Sequence, residues 1–161
     1  FDLKKLRNVN AKYLNNMKVS DVYKLVIDKF KLSLNDEEQK RFKSLLPELL
    51  KRVQVYTDLE FEFDWLFQKD FFCKDKNYQL KLQKHNLMLK EIGSQLKECE
   101  WNVENIRNTL NQYILDKSLT FKDIGPILRM ALTGKTNSPD LVSIIYELGC
   151  TITVNRLNYK Y

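Results

Sequence analysis

An all-α fold, built as two consecutive helical sub-domains, is what this sequence predicts, and three observations predict it. Only 4 Gly and 3 Pro occur in 161 residues, too few for the hairpin turns a β-rich chain consumes. Apolar residues recur at helical spacing along most of the chain. The breaks between those stretches carry helix-capping residues. A hydrophobic fraction of 43%, with 12% aromatic residues, supplies enough apolar surface to fold.

The elements follow in order. In "SDVYKLVIDKF", Val22, Leu25, Val26 and Phe30 share a helix face, with Ser20 as the expected cap. In "LNDEEQKRFKSLLPELLKRV", Asn35 is the expected N-cap and Glu38 completes a capping box. Phe42, Leu45, Leu46, Leu49, Leu50 and Val53 form the stripe, and Pro47 must kink this helix or start a new one. "DLEFEFDWLFQ" alternates like a strand over 60–64, but Trp65, Leu66 and Phe67 break that period, so a short helix is expected. Its carboxylates Asp58, Glu60, Glu62 and Asp64 read as a solvated surface and not as a metal or acid–base pair, because alternate positions fall on different helix faces.

"QKDFFCKDKN" is polar and turn-like apart from its aromatics, and the sub-domain boundary is placed there, dividing 1–72 from 73–161. "QLKLQKHNLMLKEIGSQLKE" reads as one long amphipathic helix, with His85 on its polar side facing solvent. "EWNVENIRNTLNQYILDK" is another helix, capped at Asn102. "FKDIGPILRMALTG" and "SPDLVSIIYELG" are two helices joined by a tight turn, each ending in a glycine, Gly134 and Gly149, as a left-handed cap prefers. Ser138 followed by Pro139 is the expected start of the second, the Ser oxygen capping and Pro occupying the first helical position. About eight to ten helices are expected in all.

The formal charge is +6, with 14 basic against 12 acidic side chains in 1–72 and 13 against 9 in 73–161. Such an excess suits a polyanionic partner and equally suits simple solubility. Cys73, Cys99 and Cys150 are odd in number, far apart and without a CxxC. A disulfide framework or zinc site is not expected, and a reducing, cytoplasmic compartment is. No apolar run approaches the about 18 residues of a membrane span, and no signal peptide is visible. The chain begins at Phe1 and not Met, as expected of a piece of something longer.

"GKT" at 134–136 resembles the end of a phosphate-binding loop, but that motif needs a glycine at 129, where Arg129 stands, and a strand before it. No HExxH, nucleophile elbow or Cys/His cluster is present either, so no catalytic or metal-binding residue is expected. Two readings of the turn remain open on the residues alone. One is an ordinary αα-hairpin with Arg129 in a surface salt bridge, which the physics favours. The other is a platform for an unstacked RNA base, made of an arginine fork, free backbone N–H groups at the Ser138–Pro139 helix start, and Leu141 and Val142.

Five blocks in one order bear on this choice: "FDLKKLRNVNAKYL" at 1–14, "EW" at 100–101, "LRMALTG" at 128–134, "SP" at 138–139, and "ELG" followed by "RL". Together they resemble the C-terminal anticodon-binding region of bacterial-type glutamyl-tRNA synthetases, a class I family, over essentially the whole chain. The resemblance implies two helical sub-domains that grip the anticodon loop of glutamate tRNA. It implies that the catalytic Rossmann domain is absent from this chain. ATP and Mg²⁺ would belong to that domain, with no cofactor in this fragment, which alone should be inactive. The parent glutamate–tRNA ligase would act as a monomer with no membrane partner.

Residue by residue, alignment through "VYTDL" makes Arg52 the reader of the third anticodon base. Arg129 matches the arginine of the family's "LRxALTG", and Ser138, Pro139, Leu141 and Val142 match the loop and helix start after it. Asp140 is a weaker candidate, since family members often carry Gly there; its carboxylate could instead cap its own helix. Ile127 stands where the family usually has Pro, which bears on the pitch of the Arg129 helix. Two alternatives stay open: a helical scaffold that binds protein partners, and a relaxed-specificity enzyme that also accepts glutamine tRNA.

Overall fold

The computed structural model describes residues 3–55, 58–68 and 71–161. Among the described residues every regular element is an α-helix. The chain divides into two compact units, Phe1–Phe67 and Gln68–Tyr161. The sequence placed that division at 72/73. Phe71 and Cys73 are both buried, and the first of them packs beside Gly134 in the second unit.

The first unit contains α1 (Leu3–Asn16), α2 (Val19–Phe30), α3 (Asp36–Leu50) and α4 (Leu59–Phe63). Ser20 is not the cap of α2: the helix begins one residue before it, behind Lys18, whose carbonyl accepts from Asp21 N–H at 2.9 Å. The Asn35 capping box forms, with Glu38 N–H donating to Asn35 Oδ1 at 2.9 Å and Asn35 N–H donating to Glu38 Oε2 at 3.0 Å. Pro47 does not end α3. It sits in the last turn, and the carbonyl to which it cannot donate belongs to Lys43, an exposed residue.

The aromatics that break the strand pattern of 60–64 supply the core. Phe42 packs at 5.0 Å from Phe63 and 5.5 Å from Phe67, ring centre to ring centre, in edge-to-face arrangements. Trp65 is fully buried and donates its indole N–H to the Glu62 carbonyl at 2.7 Å.

The second unit contains α5 (Lys76–Lys84), α6 (Asn86–Glu98), α7 (Val103–Asp116), α8 (Phe121–Thr133), α9 (Leu141–Leu148) and α10 (Cys150–Leu157). The single long helix expected over 79–98 is two helices, broken at His85 with φ −104° and ψ 15°. His85 is exposed, as its place in the pattern suggested. Asn102 caps α7, accepting from Asn105 N–H at 2.8 Å. Glu91 on α6 accepts the Tyr113 hydroxyl of α7 at 2.6 Å and lies 2.9 Å from Lys117 Nζ, a bridge between neighbouring helices.

Gly149, with φ 79° and ψ 162°, ends α9 and at once begins α10. Its φ is positive, as expected of a cap glycine, but its ψ carries the chain out of the left-handed helical region and straight into α10. The sequence reading stopped at this glycine and missed α10. Thr151, Ile152, Thr153 and Val154 are β-branched and weaken a local helix signal. The buried set Thr153, Arg156 and Leu157 nevertheless has helical spacing.

Candidate nucleic-acid interface

Thr120 starts α8 by donating both its backbone N–H and its hydroxyl to Asp123 Oδ2 at 2.7 Å. The helix runs unbroken through Pro126 to Thr133, so Ile127 in place of proline leaves Arg129 on a continuous helix. Arg129 is half-buried. Its side chain turns back along α8, with Nη1 3.1 Å from the point a Cβ would occupy on Gly125 and the Phe121 ring 3.2 Å from that point. Side chains on helices lean toward the N-terminus in this way.

Beyond Arg129 the chain turns sharply. Gly134 takes φ 70°, ψ 10° and donates its N–H to the Met130 carbonyl at 2.9 Å, the left-handed cap expected from the sequence. A side chain here would be strained, and its Cβ would lie 3.3 Å from the Phe71 ring. The Thr133 hydroxyl donates to the Arg129 carbonyl at 2.8 Å and accepts from Lys135 N–H at 3.2 Å.

The start of α9 differs from the expectation. Ser138 is buried and its hydroxyl points to the Pro139 carbonyl at 3.4 Å. The cap is Asp140, whose Oδ2 accepts the Ser143 N–H at 2.9 Å and the Ser143 hydroxyl at 3.0 Å. The helix therefore begins two residues later than Ser138–Pro139 suggested. A carboxylate beats a hydroxyl at a helix N-terminus because it adds charge to the hydrogen bond. That carboxylate already engages one of the N-terminal amides of α9, the Ser143 N–H.

Leu141 and Val142 are buried in the unit, and Pro139 is buried beside Ser138. All four of these residues, between the turn and the first turn of α9, are therefore buried. The exposed groups are Thr136, Asn137 and Asp140, and the first two carry hydrogen-bonding side chains that the sequence reading did not select. Arg52 is half-buried at the end of α3, its N–H donating to the Leu49 carbonyl at 3.0 Å. It belongs to the first unit and Arg129 to the second. Tyr56 and Thr57, through which Arg52 was aligned, lie outside the described residues, as do Phe1 and Asp2 of the opening block and Lys69 and Asp70 of the boundary stretch.

Sequence reasoning missed Arg156 as the support of this turn. It is 3% exposed. Its Nη1 donates to the Leu132 carbonyl at the end of α8 at 2.5 Å, and its Nη2 donates to the Gln68 carbonyl at 2.9 Å. Its guanidinium lies 4.4 Å from the centre of the Phe71 ring, a cation–π contact out of water. A carbonyl near a helix C-terminus needs a donor when buried, and the fork geometry of arginine serves two at once.

Residues 14–160 match the family model of the anticodon binding domain. The chain belongs to the anticodon binding domain family. Its curated relatives include glutamate–tRNA ligase 1 of Bartonella henselae, 30% identical over 169 residues that cover 98% of this chain and 35% of that protein. Glutamate–tRNA ligase 1 of Hyphomonas neptunium is 31% identical over 162 residues, 98% of this chain and 33% of that protein. Among solved structures, a glutamate tRNA ligase from Elizabethkingia meningosepticum in complex with its amino acid superposes with a TM-score of 0.77 at 19% identity. That match covers 98% of this chain and 32% of that one, and shows the same fold. The chain spans about a third of the length of these relatives. Membership agrees with the resemblance carried by "LRMALTG", "SP" and "ELG", all of which lie within the matched residues.

Proposed function

We propose that this chain is the part of a glutamate–tRNA ligase that binds the anticodon loop of glutamate tRNA. The family match over 14–160 carries this reading, and the identity of the relatives directs it to glutamate tRNA. Arg52 reads the third anticodon base, and Arg129 offers its guanidinium to a second. Ser138, Pro139, Leu141 and Val142 hold the turn in shape, so they act through the backbone they fix. Thr136 and Asn137 meet base edges at its tip. The remaining basic side chains hold phosphates.

In this reading joining glutamate to tRNA, with ATP and Mg²⁺, is the work of a catalytic domain in a monomeric, cytoplasmic parent enzyme. The chain alone gives no ATP–pyrophosphate exchange. No helix among the described residues is long and apolar enough to cross a membrane.

The test is binding of this chain to the glutamate tRNA anticodon stem–loop at two salt concentrations, with C or G as third anticodon base. Binding that weakens steeply with salt is expected, because phosphate contacts release counterions. Arg52→Ala should erase the preference for C, a loss of about 1–3 kcal/mol of discrimination. Absence of binding at low salt would sink the assignment.

A further inference from the structure

We propose that Phe72 and Tyr159 form a stacking platform for one unpaired base of the bound RNA; this rests on the anticodon-binding reading. The two rings are nearly parallel, 9° apart in plane with centres 5.6 Å apart. The Tyr161 ring leans against Tyr159 at 4.7 Å, and the Tyr161 hydroxyl accepts the Cys73 N–H at 3.2 Å. The rings are thus fixed before any ligand arrives, so stacking a base on them costs little ordering.

Neighbouring residues show that this ladder is no extension of the core. Phe71 and Phe72 are adjacent but divided in role: Phe71 is buried under Arg156 and against Gly134. Phe72 is only half-buried and meets Tyr159, which is 39% exposed. The segment 71–75 has no regular structure, which lets consecutive side chains take opposite sides.

Charge selects the occupant. Exposed Lys74 stands two residues beyond Phe72, and exposed Lys160 lies between the two tyrosines. Asp75 is engaged as the cap of α5. Flat aromatic faces flanked by cations suit a splayed-out base, whose phosphates the lysines hold.

The experiment is a cycle of protein and RNA changes on the whole chain. Anticodon stem–loops carrying an abasic nucleotide at each loop position in turn are titrated against wild type, Tyr159→Leu, Phe72→Leu and Tyr159→Phe. Thermal melts confirm that each variant is folded. Wild type should lose about 5- to 150-fold in affinity at one abasic position, the range for a single base–aromatic stack. Tyr159→Leu and Phe72→Leu, which keep apolar bulk without the ring, should lose a similar factor on the intact loop and nothing further at that position. Tyr159→Phe should bind like wild type. If both leucine variants bind the intact loop as wild type does, or their losses multiply with every abasic change, the platform is wrong while the anticodon reading stands. If wild type does not bind any stem–loop at low salt, both fall.

Discussion

Arg156 and Gly134 hold the turn between α8 and α9 from opposite directions. Arg156→Met keeps a long apolar stem but withdraws both donors from the Leu132 and Gln68 carbonyls. It should destabilise the chain by about 1–3 kcal/mol, the usual cost of a buried acceptor left without a partner, here the Leu132 carbonyl; urea unfolding followed by circular dichroism measures it. Gly134→Ala forces a side chain into the left-handed region and toward Phe71, and should cost about 1–2 kcal/mol. Glu91 is held below its ordinary value of 4.5, first by the Tyr113 hydroxyl and then by Lys117. In Tyr113→Phe its carboxyl titration, followed by NMR, should move upward. The sequence marked Gly134 as a cap, because a glycine after a helical stripe is a local signal, and marked Arg156 only as part of the family's "RL" block, with no role. Nothing local distinguishes Arg156 from a surface arginine, for its partners lie 24 and 88 residues away.

Caps decided where the helices begin, and they were the most legible feature of the elements. Asn35 and Asn102 cap as their positions suggested. Ser20 and Ser138 do not. At the second of these a stronger competitor, Asp140, stood two residues further on. Asp140→Ala should therefore cost about 1 kcal/mol, within the usual range for a lost N-cap, whereas Ser138→Ala should not register as a cap loss. Comparing the two melting midpoints checks this. The break at His85 was invisible because the apolar pattern continues across it on both sides. The same blindness hid the inward aim of Leu141 and Val142: an apolar pair at a helix start fits a base platform or a core equally well, and here it is buried. Arg52 and Arg129 were singled out only through the family motif, since charge and spacing alone do not distinguish one arginine from another.

At the scale of the molecule, folding should be most stable across a broad middle range of pH. Asp123 is held below its ordinary 3.8, first by the Thr120 side-chain hydrogen bond, and Glu91 behaves likewise. A carboxylate whose value is lowered by folding contributes above its ordinary range and loses that contribution as pH falls through the folded value. Burial pushes the Tyr161 phenol above its ordinary 10. Its contribution is complete below 10 and disappears as pH rises through the folded value. Melting midpoints recorded across pH should fall on both sides, and Asp123→Asn should flatten the acid side. Fold class and family were readable because helical periodicity and ordered motifs extend along the chain, whereas tertiary supports join residues that no window of sequence contains. The bond from Arg156 to Gln68 illustrates what that implies for timing. The residue that secures the opening segment of the second unit lies in that unit's last helix, so the unit cannot close before that helix has been made. Its nascent helices must wait, incompletely packed and open to chaperones, until translation has delivered α10.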